Sequence, residues 1–202
     1  FNRPDGLVTY AFAYCNPASS SGARSSDWEV RSGSLFINAA AAWTGVPDTA
    51  VPDASSSNGT GSAVFRFTSQ RADFADVAVS LALLNRGLRA GSSSADGAQI
   101  VLRYQVPNSF YYAAVNRRDN TIVLKKRVPT RKGGWSDHWM GDSVSYPVPY
   151  NQWQNLRATA KTNADGSVTV ELFINQVRIL SARDSGSKGT SPIRAAGHAA
   201  TA

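Results

Sequence analysis

QIVLRYQVPNSFYYAAVNRRDNTIVLKKRV, residues Gln99–Val128, is the stretch from which the rest of the chain is read. It divides into three short strands, Gln99–Val106, Ser109–Arg117 and Thr121–Val128. Each alternates with period two, the mark of a sheet with two unlike faces. One face carries Ile100, Leu102, Tyr104, Tyr111, Ala113, Val115, Ile122 and Leu124 and is predicted to pack into a core. The other carries Arg103, Gln105, Tyr112, Ala114, Asn116, Lys125 and Arg127. On a rigid floor those side chains offer planar donors, an aromatic ring and fixed positive charge. The links Pro107-Asn108 and Asp119-Asn120 suit adjacent antiparallel strands.

Outward from this centre the same pattern recurs. Strands are predicted at Phe1–Tyr14, Ser62–Thr68 and Val77–Leu84, the last apolar on both faces and so central. Trp28–Val30 and Ser34–Ile37 flank Arg31-Ser32-Gly33 as a hairpin. Ala39–Ala42 is too short for a stable helix. Trp153–Lys161 and Ser167–Ile174 form a hairpin through Asn163-Ala164-Asp165-Gly166, and Val177–Ala182 joins it through Asn175-Gln176. Cys15–Ser26, Gly45–Gly61 and Ala90–Gly97 read as polar loops. Thr130–Pro149 reads as an inserted loop holding Trp135, His138, Trp139 and Tyr146. No helix longer than about three turns, no fixed-period repeat and no dividing linker is evident. These features predict one all-β domain over residues 1–202, a two-sheet antiparallel β-sandwich.

Bulk composition narrows the function classes. Net charge is +7, and 16 of the 21 basic residues are Arg, whose planar fork suits carboxylate, sulfate or phosphate. From Arg117 to Lys132 seven cations face one acid, Asp119. That excess points to an anionic partner, although basic edges also guard sheets against aggregation. No signature of a nucleic-acid module accompanies the charge, which argues against nucleic acid. No apolar run is long enough to span a membrane. The single cysteine, Cys15, excludes an internal disulfide framework and reads as a buried thiol. His138 and His198 are far apart, and Asp48 and Asp53 match no calcium cage, so no cofactor is expected, with calcium in the Pro-rich loop as the alternative. Abundant Ser, Gly, Ala and Thr suggest a secreted protein, and the chain opens FNRPDGLVTY without a leader. Asn58-Gly59-Thr60 is a formal glycosylation sequon.

The segments DWEVRSGSLF (Asp27–Phe36), GSAVFRFTSQRADFADVAVSL (Gly61–Leu81), QIVLRYQ with FYYAAVNRRDNTIVLKKRVP (Gln99–Gln105, Phe110–Pro129) and YNQWQNLRATAKTNADGSVTVELFINQ (Tyr150–Gln176) resemble the concanavalin A-like jelly-roll superfamily. Within that laminin-G-like and lectin/glucanase group they look like secreted actinobacterial domains. The resemblance implies a jelly roll, and its motifs inform fold more than activity. It departs at the C-terminus, where Ile193–His198 runs into Ala199–Ala202 without the Gly-rich strand and acidic last strand of similar domains. Either the chain is a fragment or a terminal strand is missing, and an open edge would accept a partner's strand.

The superfamily includes glycoside hydrolases, polysaccharide lyases, lectins and adhesion modules. Hydrolysis by paired carboxylates needs two acids close together, and the only glutamates, Glu29 and Glu171, are far apart in sequence. A lyase acting on a uronic-acid polymer by β-elimination would use Arg103 and Gln105 to neutralise the carboxylate and Tyr112 or His138 as acid and base. The alginate-lyase Gln-Ile-His triplet is absent, since Val101 follows Gln99-Ile100. Binding without chemistry demands less: Trp135 and Trp139 for stacking, with Asn116, Lys125 and Arg127 for polar and acidic groups. Trp28 and Trp153 each begin a strand and read as structural. The leading expectation is an extracellular domain binding an acidic polysaccharide. A lyase and a structural or adhesion module that oligomerises through a strand edge are the alternatives.

Overall fold

The computed structural model describes residues 6–10, 25–32, 34–43, 66–86, 97–105, 109–115, 119–186 and 189–202. The described elements are antiparallel strands, with no α-helix among them. The chain divides into two compact units. The first comprises Phe1–Gln70, Leu88–Gly91 and Thr201–Ala202, the second Arg71–Gly87 and Ser92–Ala200. Cys15, Asp48, Asp53 and Asn58 lie outside the described residues.

The first unit contains β1 (Gly6–Tyr10), β2 (Trp28–Ser32), β3 (Ser34–Asn38), β4 (Ala41–Trp43) and β5 (Arg66–Ser69). The expected hairpin over residues 28–37 does not form. β2 pairs with β5, whereas β3 lies between β1 and β4. The alanine run instead makes the β3–β4 turn, with Ala39 and Ala40 at φ 50° and 59°. Two consecutive left-handed residues match the twist of a tight hairpin, at a steric cost that glycine would avoid. Trp28 stacks flat on Phe67 with ring centroids 5.1 Å apart, beside buried Val30 and Leu35.

The second unit is a β-sandwich. Its strands are β6 (Val77–Leu84), β7 (Ala98–Gln105), β8 (Ser109–Val115), β9 (Thr121–Pro129), β10 (Trp135–Trp139), β11 (Val144–Ser145), β12 (Trp153–Thr162), β13 (Val168–Ile174), β14 (Val177–Asp184) and β15 (His198–Thr201). One sheet runs β10-β9-β8-β7-β15, with β11 also on β9; the other runs β14-β13-β12-β6. The β7–β8–β9 meander and both C-terminal hairpins form as the alternation predicts. Asn175 and Gln176 take φ 49° and 71° at the last of these turns. His198–Thr201, where the pattern dissolves in the sequence, is a strand beside β7.

The core lies between the two sheets. Ile100, Leu102, Tyr111, Ala113, Ile122 and Leu124 meet Leu156, Ala158, Val170 and Leu172, all buried. Burying each large side chain contributes roughly 1.5–3 kcal/mol, which makes register here strongly specified. Among the described strands β6 lies at the end of its sheet rather than at the centre expected. Its alternation is masked in sequence because its outward residues, Ala78, Ser80 and Ala82, are small.

One local event redirects the central face. β7 carries a bulge between Leu102 and Gln105, and Arg103 sits at φ 54°. The extra residue turns Arg103 to the same side as Leu102 and sends Tyr104 to the opposite side. Arg103, expected to face outward, is fully buried. Its Nη1 donates to the Ile193 carbonyl (2.7 Å), and its Nη2 donates to Asp76 (3.0 Å) and Thr162 (2.9 Å). Burial lowers its pKa, while Asp76 opposes that shift. Tyr104, expected in the main core, instead joins Val101, Phe110, Tyr112, Ala114, Val123 and Ala200 in a second buried cluster. The face predicted to be an open cationic trough is therefore apolar and buried through its centre.

A second buried polar network lies one strand pair away. Lys126 continues the core-facing series Ile122, Leu124 and is 2% exposed. It donates to Asp184 at 2.7 Å, and the Tyr111 hydroxyl donates to the same oxygen at 2.7 Å. Ile193 N–H donates to Tyr111 (2.8 Å) and Gly186 N–H to Asp184 (3.0 Å). Both polar groups of the Ile193 backbone are thus held by buried side chains, which pins residues 190–197 against the sandwich.

Candidate functional site

The β9–β10 hairpin brings together what sequence separates. Thr130 starts its turn, with Gly133 N–H donating to Thr130 O (3.1 Å) and Thr130 N–H to Gly134 O (2.9 Å). Gly133 has φ 82°, a conformation in which a side chain is strained. Arg131 and Lys132 are exposed at the tip. The register then sets Trp135 opposite Pro129, Asp137 opposite Arg127 and Trp139 opposite Lys125. Trp135, Asp137 and Trp139 therefore share one face of β10, not a loop.

That face is an aromatic and cationic ladder. Trp135 is 57% exposed and Trp139 47% exposed. Lys125 Nζ lies 4.2 Å from the Trp139 ring centroid. The Arg127 guanidinium lies 5.2 Å from Trp135, 5.3 Å from Phe110 and 5.8 Å from Tyr112. Asp137 holds it in place through two bonds of 2.7 Å, to Nε and Nη2. The Asp137 bond, followed by the opposing effect of burial and then the Asp137 charge, leaves the Arg127 pKa raised. The two indoles are four residues apart, so roughly 13 Å separates them along the strand. Rings flanking a fixed guanidinium can stack sugars while cations meet acidic substituents.

The other expected residues are placed elsewhere. Tyr112 lies beneath Arg127 and is 4% exposed. Desolvation, with help from the Asp137 charge, pushes its pKa up to about 12, so it holds its proton at neutral pH. His138 lies within β10 on the face opposite Trp135 and Trp139, half-buried. Gln105 donates to the carbonyls of Ala195 and Ala196. Asn116 lies outside the described residues. Arg103 and Tyr112 point to opposite sides of the sheet, so the four residues expected to perform elimination are not gathered at one point. Among the described residues no group of three His, Cys, Asp or Glu side chains is arranged to hold a metal ion.

Asp137 was not anticipated, although WSDHW shows the needed signal: Trp, Asp and Trp at alternate positions place three side chains on one face. Trp153, read as structural, is 56% exposed. Comparison of the chain with protein-family models and with curated proteins finds no match.

Proposed function

We propose that this protein is a secreted carbohydrate-binding domain that takes an acidic polysaccharide along the outer face of the β9–β10 hairpin. The observation that carries the reading is the pair of exposed indoles, Trp135 and Trp139, flanking Arg127 on one strand face. Lys125, Arg127, Arg131 and Lys132 outnumber Asp137 along the hairpin, which favours an anionic chain. Sugar rings stack on the indoles, and carboxylates meet the cations at the tip and beside Trp139.

The test is titration of the full chain with pectate, alginate, glucuronan and hyaluronan against a neutral glucan. At least one uronic-acid polymer is expected to bind and the glucan not, with affinity falling as salt rises. Exposed aromatic anchors at such contacts typically carry about 2 kcal/mol, so Trp135→Ala or Trp139→Ala should each weaken binding by roughly 30-fold. Neither should change the melting temperature much, since both rings are already half in solvent. Indifference to every uronic-acid polymer would overturn the reading.

A further inference from the structure

The outward face of the four-stranded sheet carries a separate recess of about 620 Å³. Ser80 of β6, Arg157 of β12 and Phe173 of β13 line it as consecutive partners in one row across the strands, and Arg178 of β14 follows Phe173 in that row outside the lining. The small residues Ser80 and Ala82 leave the β6 side low. Phe173 supports Arg157, whose guanidinium lies 5.5 Å from the ring centroid. A guanidinium lying on a ring keeps its N–H edge directed outward, the orientation needed for a two-point bond to a carboxylate.

Charge on this face is unevenly matched. Arg178 pairs with Glu171 at 3.0 Å, and Arg183 pairs with Asp165. Arg157 and Lys161 take part in none of the ion pairs among the described residues. Asn155 lines the recess beside Arg157, and Trp153 stands two positions further along the same exposed face of β12. Two residues of strand separate that indole from Asn155 by roughly 7 Å. A cation edge, amides and a nearby indole suit an acidic sugar, and the volume falls within the usual range of roughly 300–1,000 Å³ for small-molecule sites.

We infer that this recess is a second saccharide site, for a single uronic-acid residue or a short uronate oligosaccharide, on the opposite side of the sandwich from the β9–β10 hairpin. Arg157 binds the carboxylate, Asn155 and Ser80 meet hydroxyls, and Trp153 stacks the neighbouring ring. The ligand class is shared with the proposed function, but the residues are not, so either site can fail alone. With both sites occupied by one polymer type, each molecule of this protein bridges two chains.

Calorimetric titration of the full chain with galacturonate, glucuronate and mannuronate trisaccharides tests this, with a neutral glucose trisaccharide as control. The wild type is expected to bind two molecules of at least one uronate trisaccharide and none of the neutral one. The double variant Trp135→Ala/Trp139→Ala should keep one site. Arg157→Gln in that background should weaken the remaining site at least tenfold, with unchanged melting temperature because Arg157 is exposed. If the double variant loses all uronate binding, or Arg157→Gln leaves the remaining affinity unchanged, the second site is overturned and the hairpin reading stands. If wild type and double variant each bind one molecule and Arg157→Gln abolishes it, the recess stands and the hairpin reading falls. No uronate binding by the wild type overturns both.

Discussion

Replacing Lys126 with Met is expected to lower the unfolding free energy by about 3–5 kcal/mol, because it leaves Asp184 charged, buried and without its cation. Asp184 is 4% exposed and Lys126 2% exposed, so solvent does not screen the loss. Asp184→Ala should cost a similar amount by stranding the ammonium. The double variant Lys126→Met/Asp184→Leu should recover much of the loss, because an ion pair replaced by apolar residues of similar volume is often near neutral. Denaturant unfolding of the three variants measures the coupling. Equal, additive losses in the double variant would show that the pair is not coupled.

The same carboxylate gives a pH dependence. Desolvation alone would raise the Asp184 pKa, but bonds from Lys126, the Tyr111 hydroxyl and Gly186 N–H, with the Lys126 charge, hold it below the ordinary aspartate value. A depressed folded-state pKa stabilises the fold above the unfolded value of about 3.9, and that contribution is lost as pH falls through the folded value. The stability gap between wild type and Asp184→Asn should therefore be widest near neutral pH and narrow below about pH 4. A gap constant from pH 7 to pH 3 would contradict the assignment. Tyr111 shifts in the other direction: burial, then its bond to Asp184, raises its pKa well above the ordinary tyrosine range, so it stays protonated as the donor throughout.

The second large effect is expected at Gly197. A Cβ built there would lie 2.5 Å from the Arg103 carbonyl carbon, 2.6 Å from Tyr104 O and 2.7 Å from Arg103 O. All three are backbone atoms of the β7 bulge, so no side chain can rotate away. Gly197 is also tied on its other side, with N–H donating to Phe74 O at 3.2 Å. Gly197→Ala must displace either the bulge or the 190–197 segment, and a loss of about 3 kcal/mol or more is expected, at the upper end of overpacking. Gly133→Ala makes the contrast, since nothing lies within 4 Å of its Cβ position and only φ strain remains. Thermal melts that rank Gly133→Ala as the more damaging change would refute the close approach.

Some of this was legible in the chain and some was not, for identifiable reasons. Tyr111 and Tyr112 fall on opposite faces as their adjacent positions require, and Ile100, Leu102, Ala113, Ile122 and Leu124 reach the core because period two is a local property of strands. The turns at Asn163–Gly166 and Asn175-Gln176 were readable from turn chemistry. Trp135, Trp139, Lys125 and Arg127 do come together, although the sequence predicts the tryptophans on a loop; WSDHW already alternates as a strand. Arg103 could not have been read correctly. A bulge inserts one residue into the alternation without any composition signal, and here it moves an arginine from the expected surface into the core.

An all-β chain, the meander over Gln99–Val128, the two C-terminal hairpins and a basic surplus beside two tryptophans were all set by the order of residues alone. These follow from spacing along the chain, which any strand of that pattern must express. Burial of the central face, the place of Val77–Leu84 last in the order of the described strands, and the interior positions of Lys126 and Arg103 were set by the fold. It also decided that Arg157 comes to lie on Phe173. Each of these depends on residues distant in sequence, such as Asp184 for Lys126, Ile193 for Arg103 and Gly197 for the bulge, and the free energy of a buried charge is set by the partner that meets it.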